Sequence, residues 1–384
     1  MGMYIVASEI ITAAGFGKDQ LWSSLHRRQD SSVQSEKISW AQALSGTSRL
    51  CLIEDKAGFE KRFHDYFDWI WKKIAQDVRA ETLQLMRKSK VGLIFSSTKG
   101  FHQDYIFNES VNYNQDAFYS VPKAFARDQM RFQPERILCI SHACASTHVS
   151  LEKAQFWLDN KICEFVILLS GDLVGSFVYQ GFQSLKIVSG KRCQPFSEAR
   201  DGLQLGEACG ILILSNQNCD SEIKIKSVKS DNEGSSVTRP SKDGQGLSMA
   251  INKAVDKNSV DFDLIVAHGT GTVFNDLSEE NAFVKLSGKS FVTGCKGAVG
   301  HTLGASGAVD VIAASMVLEK NTVFPITNTI VKNPGFKMNY LTSDYFENFQ
   351  NEISARTFSN ILISSLGFGG AHAALVLQKE CVFQ

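Results

Sequence analysis

The chain has 384 residues, 43% of them hydrophobic, and its 40 basic and 40 acidic residues leave a formal net charge of +0. That length calls for two domains or one large, internally repeated core. The charge balance argues against a general nucleic-acid binder and leaves only local patches to steer charged partners.

No window approaches the roughly 18 uninterrupted apolar residues of a membrane span. The opening MGMYIVASEIITAAGFG carries Glu9 inside its apolar stretch and no basic lead, which argues against a signal peptide and for a cytoplasmic protein. Nine cysteines are scattered without a CxxC pair, so reduced thiols are expected, with neither a zinc site nor a disulfide framework.

In chain order, Met3 to Ile11 reads as a strand, turned by Gly15 and Gly17 into a helix over Asp19 to Arg27. Residues 28–58 are polar and weakly patterned and read as surface loops. Residues 59–90 space apolar residues at helical intervals between dense charges, which predicts one or two amphipathic helices. Val91 to Ser97 is a short apolar run, the mark of a strand buried on both faces. Phe101 to Gln133 is aromatic and irregular, punctuated by Pro122.

Arg136 to Phe156, RILCISHACASTHVSLEKAQF, predicts a strand, a tight bend and a buried helix whose first turn holds Cys144. A helix start offers free N–H groups and a positive dipole end, and both favour thiolate over thiol. Taken alone, Cys144 reads as readily as a small buried residue. Phe165 to Ser170 is another buried strand, so strand, helix and strand imply parallel pairing through right-handed crossovers.

Further on, Gln194 to Gln217 ends in a strand, Ile223 to Val228 alternates, and Gly244 to Val255 is helical. The strand Phe262 to Ala267 delivers His268 into the turn HGTGT. Phe291 to Thr293 feeds CKGAVGHT and a small-residue helix, and Asn360 to Gln378 reads as strand, glycine bend and strand. Leu203 to Ser215 echoes Ser365 to Gln378, and Cys144 and His301 each lie near the start of a small-residue helix. A duplicated chain could set two such helix starts face to face.

Four glycine-rich stretches, SHACAS, AHGTGT, CKGAVGHT and LGFGGAH, follow buried strands, where parallel α/β folds build sites. Cysteine with histidine points to acyl transfer through a thioester. Two imidazoles can together donate hydrogen bonds to a carbonyl oxygen as it becomes an enolate.

These residues carry a resemblance to the β-ketoacyl-acyl-carrier-protein synthases of the decarboxylating Cys-His-His type. It spans almost the whole chain: the segment around Cys144, PFSEARDG at 195–202, HGTGTVFNDLSE at 268–279, GCKGAVGHTLGASG at 294–307 and LGFGGAH at 366–372. The resemblance implies an α/β thiolase-like fold of two pseudo-repeated halves, with buried mixed sheets and central helices. On that reading residues 1–217 carry the nucleophile Cys144, and residues 218–384 carry His268 and His301.

It further implies that Cys144 takes the acyl chain and that His268 and His301 promote decarboxylation of the malonyl thioester. Lys296 holds the second histidine loop, together with Glu279, and Asp276 is a second supporting carboxylate. The N–H groups of Cys144 and Phe368 form the oxyanion hole, with Phe368 and Gly369 as gate. No cofactor is implied, since substrates ride on the phosphopantetheine of an acyl-carrier protein, contacted by Lys61 and Arg62. A homodimer is expected, or a heterodimer with a related subunit.

Several positions depart from the family pattern: His142 two residues before the nucleophile, Cys209 in the run GEACG, and Ala371 and His372 after the last glycine pair. Residues two apart share a face in a strand, which would let His142 approach the site. The departures lean toward a specialised polyketide or aryl-polyene pathway. The alternatives are a non-elongating, chain-length-factor-like subunit, which would lack the nucleophile, and a thiolase-type acyltransferase, which would carry a second cysteine in the final glycine loop.

Overall fold

Strand β1 (Met3–Thr12) runs through the middle of a 12-stranded mixed sheet. The computed structural model describes residues 2–37, 48–54, 62–100, 117–130, 132–255, 261–286 and 289–380. The other main strands are β2 (Val91–Ser96), β3 (Arg136–Ile140), β4 (Phe165–Asp172), β5 (Ala208–Ser215), β6 (Ile223–Asn232), β7 (Leu264–Val266), β8 (Phe291–Thr293), β9 (Asn360–Gly367) and β10 (Ala371–Lys379). From one edge inward their order is β3-β2-β4-β5-β1, and from the other, inside a short outer strand at Asn339–Tyr340, β8-β7-β9-β10-β6.

The two orders are the same pattern. In each, the second strand pairs parallel with the third and the fourth, and the fifth runs antiparallel between the fourth and the first. β1 and β6 join the halves, antiparallel. The echo read between Leu203–Ser215 and Ser365–Gln378 therefore falls on equivalent strands.

The helices are α1 (Lys18–His26), α2 (Arg62–Asp77), α3 (Ala80–Lys88), α4 (Ala117–Phe125), α5 (Ser146–Asp159), α6 (Ser176–Ser184), α7 (Gln245–Ala254), α8 (Val273–Phe283) and α9 (Ser306–Lys320). α5 and α9 pack against each other and against strands of both halves. α9 is buried from Ser306 through Leu318, as expected of a helix apolar on every face. The main core is continuous across the halves, joining Leu151, Leu212, Val309 and Leu375. Among the described residues no helix is long and apolar enough to cross a membrane.

Two segments differ from expectation. Within 28–58, Val33–Gln34 and Arg49–Cys51 join Leu205–Gly206 in a small sheet, with Leu50 and Cys51 fully buried. Strands of two or three residues are too short to register as alternation. Within 101–133, the described part holds α4 and a π-helical turn, Ala126–Met130, with Pro122 inside the helix. A proline removes the N–H owed to the carbonyl four residues back. That carbonyl, of Phe118, accepts instead from the Cys139 thiol at 3.7 Å.

Candidate active site

β3 stops at Ile140, and the backbone reverses through Ala143, held at φ 46°. Ser146 fastens the bend: its Oγ accepts from the His142 N–H at 2.8 Å and donates to the Ala143 carbonyl at 2.6 Å. Cys144 lies just ahead of α5, whose N-cap is Ala145, and is 5% exposed. The cysteine therefore precedes the first turn expected to contain it. His142 lies past the strand end, so the shared-face argument fails for it. Its ring is not among the residues lining the cavity described below.

Across the molecule, β7 leads into His268. The carboxylate of Glu279, on α8, grips this turn: Oε1 accepts from the His268 N–H at 2.7 Å and the Ser364 hydroxyl at 2.8 Å, and Oε2 accepts from the Gly269 N–H at 2.7 Å and Asn275 Nδ2 at 2.9 Å. Burial pushes Glu279 up to about 7, against the pull of these donors. Asp276 accepts from the Phe196 N–H at 2.7 Å and the Gly271 N–H at 3.2 Å, tying the 195–202 loop to the histidine turn.

His301 follows Gly300, which sits at φ 72°. The His301 N–H donates to the Gln204 carbonyl at 2.6 Å, and its own carbonyl accepts from the Gly206 N–H at 2.9 Å. Its Nδ1 is 2.9 Å from Ser306 Oγ, and its Nε2 is 3.0 Å from Cys144 Sγ. The His268 ring stands edge-on to it, centroids 5.1 Å apart at 90°. Burial, reinforced by the Lys296 charge, holds both imidazoles well below their usual range, so both are neutral at physiological pH.

The Cys144 thiol is pushed up to about 12, first by burial. Lys296 and the N–H groups of Phe368 and Cys144, which hydrogen-bond to the sulfur, pull the other way. The expectation that the helix start alone would make a thiolate is thus corrected: desolvation of the charged form outweighs the dipole. The N–H pair at the sulfur is nevertheless where an oxyanion hole is required.

A cavity of about 380 Å³ opens above these groups, with Cys144, His268 and His301 in its floor and Phe368 in its wall. The Phe368 ring stacks on Phe182, centroids 5.5 Å apart at 20°. Gly369, at φ 81°, gives its N–H to the Val237 carbonyl at 2.6 Å. At the mouth Arg239 and Lys242 lie over the Phe274 ring at 4.7 and 5.1 Å.

The profile "Beta-ketoacyl synthase, N-terminal domain" matches residues 136–218 and "Beta-ketoacyl synthase, C-terminal domain" matches residues 221–329, together half of the 384 residues. The chain belongs to the β-ketoacyl synthase family.

Curated relatives include 3-oxoacyl-[acyl-carrier-protein] synthase 2 of Staphylococcus aureus strain COL, 28% identical over 200 residues, 49% of this chain and 46% of that protein. The same-named protein of Rhizobium meliloti strain 1021 is 29% identical over 202 residues, again 49% and 46%. The match spans about half the length of these relatives. Among solved structures, the ishigamide ketosynthase/chain length factor superposes with a TM-score of 0.81 at 18% identity, covering 99% of both chains. A ketosynthase in complex with its chain length factor from Xenorhabdus doucetiae gives 0.78 at 20%, covering 98% of both. These likenesses show the thiolase-like fold.

For this β-ketoacyl synthase family member the structure corrects one pairing. Lys296 does not reach Glu279; its Nζ pairs with Asp310 Oδ2 of α9 at 3.2 Å, both side chains buried. Glu279 serves the His268 turn alone. The sequence signal for Asp310 is a carboxylate set among the small and apolar residues of the buried part of α9, which calls for a buried partner. Ser306, the partner of His301, lay unremarked inside the motif GCKGAVGHTLGASG. Lys61 lies outside the described residues, as does the side chain of Arg62, which opens α2.

His372, the departure after the last glycine pair, is buried on β10 with Nε2 3.0 Å from Glu233 Oε2. Glu233 also accepts from the Ser241 N–H at 2.7 Å. The residue is thus spent on the segment that frames the cavity mouth.

Proposed function

We propose that the protein is a β-ketoacyl synthase, joining a Cys144-bound acyl chain to a malonyl unit with loss of CO₂. The observation that carries this reading is the convergence of Cys144 Sγ, His301 Nε2 at 3.0 Å and the facing His268 ring in one cavity floor.

In the first step Cys144 Sγ attacks the carbonyl carbon of an acyl thioester. The S–C bond forms, the carrier's C–S bond breaks, and the thiol proton passes to the departing sulfur. In the second step the malonyl C–carboxylate bond breaks and CO₂ leaves. The electron pair delocalises onto the thioester oxygen, where the neutral His268 and His301 donate hydrogen bonds. With Nδ1 of His301 accepting from Ser306, its Nε2 carries the hydrogen needed. The α-carbon then attacks the acyl carbonyl, whose oxygen is held by the N–H groups of Cys144 and Phe368. The new C–C bond forms, the Cys144 S–C bond breaks, and the departing thiolate takes a proton from solvent to restore the thiol. Lys296, paired with Asp310, holds the turn ahead of His301 and is a positioning residue.

Incubation with acyl-loaded carrier protein followed by intact-mass spectrometry tests this. An adduct lost in Cys144→Ala is expected; no adduct, or one that survives that change, overturns the reading. The chain that loads fastest names the substrate class, and the departures at His142, Cys209, Ala371 and His372 favour a specialised pathway over housekeeping elongation. The retained Cys144 and both histidines speak against a non-elongating subunit.

For the carrier we favour the mouth, where Arg239, Lys242 and Lys186 are exposed cations, suited to steering an acidic partner. Charge reversal at Arg239 and Lys242 that left the loading rate unchanged at low salt would remove this contact.

Residues 1–217 and 218–384 serve as the two halves, and a dimer forms through β3, the outermost strand on that side among the described residues, where Ile137 to Ile140 are only half-buried. Light scattering of the pure protein distinguishes a homodimer from a monomer that awaits a related subunit.

A further inference from the structure

Asp172, the last residue of β4, is completely buried and takes no part in the steps above. Its Oδ1 accepts from the Ser97 hydroxyl at 2.8 Å and the Thr98 hydroxyl at 3.0 Å, and pairs with Lys99 Nζ at 3.0 Å. Its Oδ2 accepts from the N–H groups of Thr98 at 2.9 Å and Gly304 at 2.8 Å. Gly304 belongs to the other half, in the turn that runs from His301 to Ser306.

That turn is gripped from both sides. The Gly304 carbonyl accepts from Thr147 Oγ1, on α5, at 2.5 Å. A Cβ at Gly304 would lie 2.7 Å from Asp172 Oδ2 and 3.0 Å from the Thr98 nitrogen, so only glycine permits the approach. Both backbone polar groups of Gly304 are therefore spent on the half that carries Cys144. Within the same turn Ser306 Oγ sits 2.9 Å from His301 Nδ1, so the docking of Gly304 bears directly on where His301 Nε2 meets the sulfur.

We propose that Asp172 is a positioning residue that docks the His301 turn onto the Cys144 half and, paired with Lys99, sets the buried charge balance beside that turn. The charged and titratable groups facing Cys144 are Lys296, after β8, Asp172, at the end of β4, and the neutral imidazoles of His301 and His268. Lys296 favours the thiolate and Asp172 opposes it, as unlike and like charges do. Loss of the Asp172 charge thus eases proton release. Loss of Lys99, whose side chain is 12% exposed, leaves the buried carboxylate unbalanced and hinders it.

The test is alkylation of Cys144 by iodoacetamide, followed by peptide mass spectrometry from about pH 6 to pH 11, a range set by ordinary thiol acidity and its upward shift on burial. Asp172→Asn moves the profile to lower pH and Lys99→Met to higher pH, each by about half a unit or more. Thr147→Val, which cuts a bond to Gly304 without touching a charge, slows acyl transfer but leaves the profile in place. Unmoved profiles for the two charge variants, a shift of both in one direction, or an equal shift in Thr147→Val overturns the proposal. Should Asp172→Asn fail to fold, a folded Lys99→Met with the wild-type profile overturns it alone. Alkylation requires neither carrier nor condensation, so it reads the thiol whether or not the ketosynthase reading stands.

Discussion

The turns carrying the two histidines are built on opposite plans. The His268 turn is held chiefly from within its own half, by Glu279 and Asp276 of the helix that follows it and by Ser364 of β9, with one bond from the other half, Cys193 Sγ to the Thr270 carbonyl at 3.2 Å. The His301 turn is held from outside, by Asp172, Thr147 and Gln204 of the other half. A turn clamped by its own helix is set by nearby sequence. One clamped across the fold depends on how the halves pack, and it is the one that touches the nucleophile.

The sharpest way to break this contrast is to remove each ring. His268→Ala and His301→Ala should each lower condensation on the order of a hundred-fold or more. Only His301→Ala should also change the alkylation rate of Cys144, because only His301 contacts the sulfur. Equal changes in alkylation would show that the rings are not divided in this way.

Next in size is Glu279→Gln. It turns an amide NH₂ toward buried donors that now meet a carboxylate, costing about 1–3 kcal/mol. Condensation should fall while alkylation of Cys144 holds, since the damage stays in the His268 turn. The wild type should show a related pH effect. With Glu279 pushed up to about 7 by burial, protonation as pH falls through that value removes an acceptor from its turn. Condensation should therefore decline on the acid side of about pH 7, a limb that Glu279→Gln lacks.

Smaller still is the effect of His148, on α5 one turn beyond Cys144. Neither of its ring nitrogens has a hydrogen-bond partner, and burial, reinforced by Lys296, depresses it to about 3. The folded form resists a proton that the unfolded chain accepts below about 6.5, so stability from this group is present above that pH and lost as pH falls toward the folded value. His148→Leu should remove up to about 1.4 kcal/mol of that acid loss per pH unit below 6.5. Thermal melts at pH 7.5 and 5.5 check it, and an unchanged slope would contradict the assignment.

What was legible in the sequence follows the same division. The strands β2, β4 and β7 were readable because strands buried on both faces are continuous apolar runs. The His268 turn was readable with its supports, since Asp276 and Glu279 stand eight and eleven residues on in the same motif. The small sheet through Arg49–Cys51 was not, because its strands are shorter than any pattern they could display. Nor was the Lys296–Asp310 pair, whose members sit in separate elements: nothing in the sequence turns the α9 carboxylate toward the lysine, and the family resemblance implied Glu279 instead.

By itself the sequence determined the chemistry available: a cysteine, two histidines and glycine bends at strand ends, in an order specific enough to name a family. The tertiary structure alone decided that the resting thiol is held up to about 12 by burial, that the Gly369 N–H is spent on the Val237 carbonyl, and that Asp172 reaches across the halves to Gly304. Local spacing fixes which side chains a turn presents. Desolvation and long-range hydrogen bonds exist only after residues distant in the chain have excluded water together.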